Sequence, residues 1–160
     1  MEKRSSSVER VEKVLKSLQI TTTVQDLPNS TRTAKEAAAA VNCHVDQIVK
    51  SLVFHTRDSQ TPILILTSGS NQVDEKHVSS IIGEEIQFAS SAFVREETGF
   101  AIGAVSPYGL KKKIPTYIDQ DLLKHQVIWA AAGSQNAVFS IQPRDLVETT
   151  GGKVISVHQK

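Results

Sequence analysis

Two features of this 160-residue chain carry residue types that can do chemistry. One is Lys50, set in the apolar segment Ile48 to Thr56. The other is the stretch from Thr98 to Pro115, Thr-Gly-Phe-Ala-Ile-Gly-Ala-Val-Ser-Pro-Tyr-Gly-Leu-Lys-Lys-Lys-Ile-Pro, which holds three of the eight glycines and two of the five prolines. Lysines seldom bury without a partner, and burial lowers their proton affinity because it disfavours the charged form. Glycine lets backbone approach a ligand closely or take positive φ, and proline stiffens the path. Within the stretch, Gly103-Ala104-Val105-Ser106-Pro107 can present backbone N–H groups to an oxygen atom. A cation and N–H donors suit stabilisation of a developing oxyanion. They supply no strong general base. Acyl transfer with a nucleophile brought by water or substrate therefore fits this inventory better than attack by a protein side chain.

Other small polar residues lie where strands and helices begin or end. Ser68-Gly69 closes an apolar run, and Gly133-Ser134 joins two others. Thr31, Arg32 and Thr33 precede an alanine-rich segment and can line a site, although spacing alone also explains them as a polar helix entry. Lys111-Lys112-Lys113 follows the glycine loop and reads either as a solvated charge run or as a contact for phosphates. The five histidines, His44, His55, His77, His125 and His158, show no His-x-x-x-His pair, and Cys43 is the single cysteine. No disulfide within the chain, metal cluster or resident cofactor is expected. Walker, dinucleotide and nucleophile-elbow glycine patterns are absent. Cys43 reads as a buried thiol and His77 as a surface residue.

The elements that must position these groups follow from periodicity. Val8, Val11, Leu15 and Leu18 predict an amphipathic helix over 6–19, with Ser6 and Glu9 as a capping box. Thr21 to Leu27 is β-rich and ends at Pro28, and Asn29 to Arg32 reads as a turn. Thr33 caps a second helix, with Glu36 in the reciprocal position, and Asp46 caps a short turn before the Ile48–Thr56 strand. Period two sets Lys50 on one face with Leu52 and Phe54, and Val49, Ser51 and Val53 on the other. Ile63 to Leu66 predicts a strand buried on both faces. Helices follow from Asp74 to Gly83 and from Ser90 or Ser91 to Gly99, with a short strand at Ile86–Phe88 between them. Pro115–Asp119, Val127–Ala132, Ala137–Ile141 and Val154–Val157 complete the strands, with a helical turn near Leu122. A last helix runs from Pro143 to Thr150. The fold class is α+β with a mixed, curved sheet.

Length and composition fit one domain over residues 1–160, with 39% hydrophobic and 22% charged residues. A net charge of +1 argues against a protein that grips nucleic acid by charge alone. Met1 to Ser7 is polar, so no leader peptide is expected, and the apolar runs are too short to span a bilayer. The expected setting is the cytoplasm, with no membrane partner.

Four segments come in an order that resembles the YbaK/EbsC family, the free-standing relatives of the editing insertion domain of bacterial prolyl-tRNA synthetase. They are Ile48-Val49-Lys50-Ser51-Leu52-Val53, Val73-Asp74-Glu75-Lys76, Thr98 to Gly109 and Pro115 to Asp119. The resemblance implies a barrel-like mixed sheet surrounded by helices. It also implies hydrolysis of wrongly charged aminoacyl-tRNA, chiefly tRNA for proline carrying a small amino acid of the Ala, Cys, Ser or Thr class. By position, Lys50 resembles the family's active-site lysine, and Gly103 to Pro107 its Gly-x-x-x-Pro loop. Ala104 stands where relatives often have a second glycine. Thr31, Thr33, Ser68 and Ser134, with Gly69 and Gly133 beside them, are the candidates for binding the aminoacyl end. The implied partners are the acceptor end of aminoacyl-tRNA and, transiently, prolyl-tRNA synthetase. The reading from a different class is a non-catalytic aminoacyl- or nucleotide-binding module, or a synthetase accessory protein. The sequence leaves the oligomeric state open.

Overall fold

The computed structural model describes residues 5–28, 31 and 33–158. The turn read at Asn29, Ser30 and Arg32 lies outside the described residues, apart from Thr31. The chain opens with α1 (Ser6–Ser17), capped by Ser5, whose Oγ accepts from the Val8 N–H at 3.3 Å. The cap therefore falls one residue before the expected Ser6. Val8, Val11 and Leu15 face the core from this helix. Of the β-rich segment Thr21–Leu27, only β1 (Gln25–Asp26) forms, because it meets a partner strand only at Val138 and Ala137. β-propensity without a neighbouring ladder does not make a strand.

Helix α2 (Ala34–Val41) carries the expected capping box of Thr33 and Glu36, and Asn42 ends it in the left-handed conformation. A single 3₁₀ turn at Val45–Gln47 follows. His44 stands at its N-cap, so Asp46 lies inside the turn rather than capping it. Then come β2 (Val49–Thr56), β3 (Pro62–Ser68), α3 (Glu75–Ile82), β4 (Ile86–Phe88) and α4 (Ser91–Thr98). Asp74 caps α3 and Ser90 caps α4, while Gly83 and Gly99 close them. After the glycine loop come β5 (Thr116–Asp119), a 3₁₀ segment Gln120–Lys124, β6 (Ile128–Ala131), β7 (Ala137–Ile141), α5 (Pro143–Thr150) and β8 (Lys153–Ile155).

The strands form two sheets. One has five strands in the order β4-β2-β3-β5-β8, and the other has three in the order β1-β7-β6. In the larger sheet β2 pairs antiparallel with β3 and β4, whereas β3–β5 and β5–β8 are parallel. The mixed α+β sheet architecture matches the expectation. The sheets meet at a bridge between Ile48 and Trp129 and do not close, so the barrel-like description holds only loosely.

Alternation along β2 and β3 divides the interior. Val49, Val53, Leu64 and Leu66 join α1, Phe139 and Leu146 in the main core. Phe54, Ile63 and Ile65 face the opposite way and pack with Val78 of α3, with Leu52 against them. The run Ile63-Leu64-Ile65-Leu66 is thus buried on both faces, as a strand flanked by two apolar layers must be. A third cluster, Leu27, Ala37, Ala38, Ile48 and Val138, seats α2 against the smaller sheet. Among the described residues no helix is long and apolar enough to cross a membrane.

Candidate active site

The site begins with an interruption in a sheet. Strand β4 pairs with β2 only over Phe54, His55 and Thr56, and the last contact on that side is the Ala89 N–H on the Val53 carbonyl at 3.1 Å. On the other side the ladder with β3 runs the full length of β2, and Ile48 already accepts from Gly69 there. Antiparallel pairing sends alternate residues' backbone groups to opposite edges. The backbone groups of Val49, Ser51 and Val53 therefore face away from β3. Beyond the Ile48–Trp129 bridge the two sheets diverge, and a cleft of ≈ 440 Å³ opens along this edge.

Because the cleft runs along an edge, both faces of β2 reach it. Val49, Lys50, Ser51, Leu52 and Val53 all line it. Facing them are Trp129, Ala130 and Ala131 of β6, Val138 of β7, and Ala34 and Ala37 of α2. Thr31 and Thr33 line the same cleft, and so do Gly103 and Val105 of the glycine loop. The structure thus brings together Lys50, the loop and the α2 entry, which lie far apart in sequence. It does not bring in every residue named from the sequence. Ala104, Ser106 and Pro107, within the loop itself, are buried and do not line the cleft. The Ala104 N–H is engaged by the Ala101 carbonyl at 2.9 Å, and Ser106 Oγ accepts from the Tyr108 N–H at 3.2 Å.

Ser68, Gly69, Gly133 and Ser134 also lie off the cleft wall. Ser68 is buried, its Oγ donating to the Asp46 carbonyl at 2.7 Å. A Cβ on Gly69 would sit 2.3 Å from the Val45 carbonyl oxygen, so glycine there permits close backbone packing. Ser134 Oγ bonds Asn136 Oδ1 at 3.3 Å within its own turn. Lys111 Nζ donates to the Glu96 carbonyl at 3.3 Å and Lys112 Nζ to Glu97 Oε1 at 2.7 Å, both at the exposed end of α4. Cys43 is half-buried rather than buried, and burial followed by the nearby Asp46 pushes its thiol up. A raised thiol is a poor nucleophile.

Sequence reasoning missed several walls of the site. Ser51 Oγ is buried without a hydrogen-bond partner on the cleft-lining strand. Phe88 and Ile102 line the cleft and are 57% and 53% exposed, so they form an apolar rim at its mouth. Gln135 lines it as well. Alternation marks Ser51 as a β2 residue, but only the early end of β4 reveals an open edge.

The loop is held in place from outside the cleft. Arg10 of α1 donates through Nε to the Gly109 carbonyl at 2.7 Å and through Nη2 to the Gly99 carbonyl at 3.3 Å. Its guanidinium lies 4.6 Å from the centre of the Phe100 ring. Gly103 has φ +85°, and a Cβ there would meet only Gln135 Nε2 at 3.8 Å, so glycine is required by the backbone rather than by crowding.

Lys50 Nζ donates to the Asn71 carbonyl at 2.5 Å. Burial lowers its proton affinity and the Asp119 charge opposes that. The arrangement offers a half-buried cation and main-chain amides around one largely apolar cleft. Among the described residues no three His, Cys, Asp or Glu side chains are grouped to hold a metal ion.

Known proteins resemble this chain over most of its length. A solved structure described as a candidate trans-editing enzyme for prolyl-tRNA synthetase superposes with a TM-score of 0.92 at 41% identity, covering 99% of this chain and all of the other. YwhH of Bacillus subtilis, itself uncharacterised, is 32% identical over 131 residues, 82% of this chain and 83% of that protein. EbsC of Enterococcus faecalis, named as a candidate Cys-tRNA(Pro)/Cys-tRNA(Cys) deacylase, is 24% identical over 79% of this chain and 77% of its own length. Residues 28–149 match the family defined as the aminoacyl-tRNA editing domain, and the chain belongs to that family.

Proposed function

We propose that the protein is an aminoacyl-tRNA deacylase acting in trans, which hydrolyses the ester joining a small, wrongly attached amino acid to tRNA, with tRNA for proline as the first substrate to test. The observation that supports it is the meeting of Lys50 with Gly103 and Val105 around one cleft in a chain of the editing-domain family. The cleft volume lies within the range of small-molecule sites. It can take an aminoacyl group with its ribose.

In this reading water attacks the ester carbonyl, the carbonyl oxygen gains negative charge, and the bond to the ribose oxygen then breaks. The products are a free amino acid and tRNA with its terminal hydroxyl restored. Lys50 supplies positive charge for the developing oxyanion, and the Gly103 and Val105 segment holds the aminoacyl carbonyl or ribose. Thr31 and Thr33 line the amino-acid side of the cleft, and Ser51 Oγ joins them as a hydrogen-bonding group. A mainly apolar pocket separates amino acids by size better than by chemistry. The Phe88–Ile102 rim suits the terminal adenine, since aromatic faces take bases by stacking. Prolyl-tRNA synthetase is the transient partner that would deliver the mischarged tRNA. Of the basic run, Lys113 is the cation for an acceptor-stem phosphate, because Lys111 and Lys112 are engaged by α4.

The test is a deacylation panel of Ala-, Cys-, Ser- and Thr-tRNA for proline beside correctly charged Pro-tRNA, with Lys50→Ala run in parallel. The expected result is cleavage of one or more mischarged species, sparing of Pro-tRNA, and loss of activity in the variant. Full activity in Lys50→Ala would remove Lys50 from the chemistry. Binding of tRNA with no cleavage of any species would favour the binding-module reading.

A further inference from the structure

Behind the cleft, a row of polar side chains crosses three strands on one face of the larger sheet. Lys50 of β2 is opposite Thr67 of β3. The parallel register of β3 and β5, which pairs Leu66 with Ile118, sets Thr67 beside Asp119. Asp119 is 0% exposed. Its Oδ2 accepts from the Ser68 N–H at 3.0 Å and from Asn71 Nδ2 at 2.8 Å, and its Oδ1 accepts from the Asp121 N–H at 2.9 Å. All three donors are neutral. Asn71 Nδ2 also donates to Asp121 Oδ2 at 2.9 Å, so two carboxylates clamp the side chain of the residue whose carbonyl receives Lys50 Nζ.

A fully buried carboxylate is costly unless a cation or several donors compensate it. A neutral amide in its place would satisfy part of this hydrogen bonding without that cost. The charge therefore needs its own explanation, and the cation it acts on at the cleft wall is Lys50; Lys124, which also feels it, is exposed and paired with Asp121. We propose that Asp119, acting through Asn71, is the positioning residue for Lys50: it fixes the turn whose carbonyl holds the ammonium at the cleft wall, and it sets a buried carboxylate on the same face of the sheet. The inference rests on the deacylase reading of Lys50 and adds the residues that hold it.

Of the other charged groups around this network, Lys124 is held mainly by Asp121 and also feels the Asp119 charge, and His158 faces Asp121. Lys124 Nζ lies 2.9 Å from Asp121 Oδ1, and His158 Nε2 lies 3.6 Å from Asp121 Oδ2. Asp74, at the start of α3, accepts from the His77 N–H and so serves the helix cap. Thr67 Oγ1, in the row between Lys50 and Asp119, is buried without a partner, so it relays no hydrogen bond between them. The coupling runs through charge and through the Asn71 turn.

The experiment compares the full-length protein with Asp119→Asn, Asn71→Ala and Thr67→Val. It reads the pH–rate profile of deacylation and the titration of the Lys50 ammonium by carbon-13 NMR of labelled lysine, assigned with Lys50→Arg. Asp119→Asn should move both the alkaline limb of activity and the Lys50 titration to lower pH. Asn71→Ala, which leaves the buried carboxylate in place, should lower kcat roughly ten- to hundredfold with KM nearly unchanged, as misplacement of a reacting group does. Thr67→Val should leave the titration where it is. If Asp119→Asn does not fold, the Asn71→Ala split between kcat and KM still decides. Wild-type titration in Asp119→Asn, or wild-type kcat in Asn71→Ala, would overturn the positioning role while Lys50→Ala stays inactive. Full activity in Lys50→Ala would instead overturn the deacylase assignment of Lys50, and the NMR titration would still report whether Asp119 sets its proton affinity.

Discussion

Arg10 and Gly109 are ninety-nine positions apart, yet the Arg10 Nε–H lies 2.7 Å from the Gly109 carbonyl. The same guanidinium reaches Gly99, so one α1 side chain ties both ends of the glycine loop and covers Phe100 between them. The cleft wall formed by Gly103 and Val105 is therefore suspended between two loop ends that are tied to one side chain of α1. Arg10→Ala removes two charge-assisted bonds and a cation–π contact, and should destabilise the protein by about 2 kcal/mol. Denaturant unfolding measures that loss. Arg10→Lys should recover little of it, because an ammonium cannot present the planar fork that reaches two carbonyls.

Phe88 ends β4 and packs its ring 4.3 Å from that of Phe54, while more than half of its surface is exposed at the cleft mouth. If the terminal base stacks there, Phe88→Ala should raise KM for deacylation roughly tenfold with kcat little changed. Phe88→Tyr should restore it. Steady-state kinetics on one mischarged tRNA separates the two parameters, and equal losses in both would place Phe88 nearer the chemistry than the base.

Tyr108 anchors the far side of the loop. Its hydroxyl lies 2.6 Å from Thr149 Oγ1 of α5, its ring packs tilted against Phe139 with centres 5.9 Å apart, and burial pushes the phenol up from 10.0 to about 12. A phenol held neutral in the fold ionises more readily in the unfolded chain. Its contribution is complete below pH 10.0 and is lost as pH rises towards about 12. Wild type should therefore lose stability across that window more steeply than Tyr108→Phe. Urea unfolding at a series of alkaline pH values compares the two slopes.

The sequence by itself carried the secondary structure and the parts list of the site. Periodicity and caps place α2 through Thr33 and Glu36, α4 through Ser90 and Gly99, and the β6–β7 pair, because those signals are local. The order of motifs around Lys50 and the Gly103 loop marks the family for the same reason: each motif is a short run of adjacent residues. Tertiary structure decided the rest. Thr21 to Thr23 has strand-like composition but no partner, so it forms no ladder. Ser68 and Gly133 look like site residues in a string of letters, yet packing turns them inward. Phe88 and Asn71 carry no motif, and Ser51 stands in one with no role attached; their places follow from where β4 stops and from which carboxylates β5 brings across the sheet. Pairing between strands distant in sequence is a property of the whole chain, and it alone leaves one edge of β2 open beside Lys50 and sets a buried Asp119 behind it.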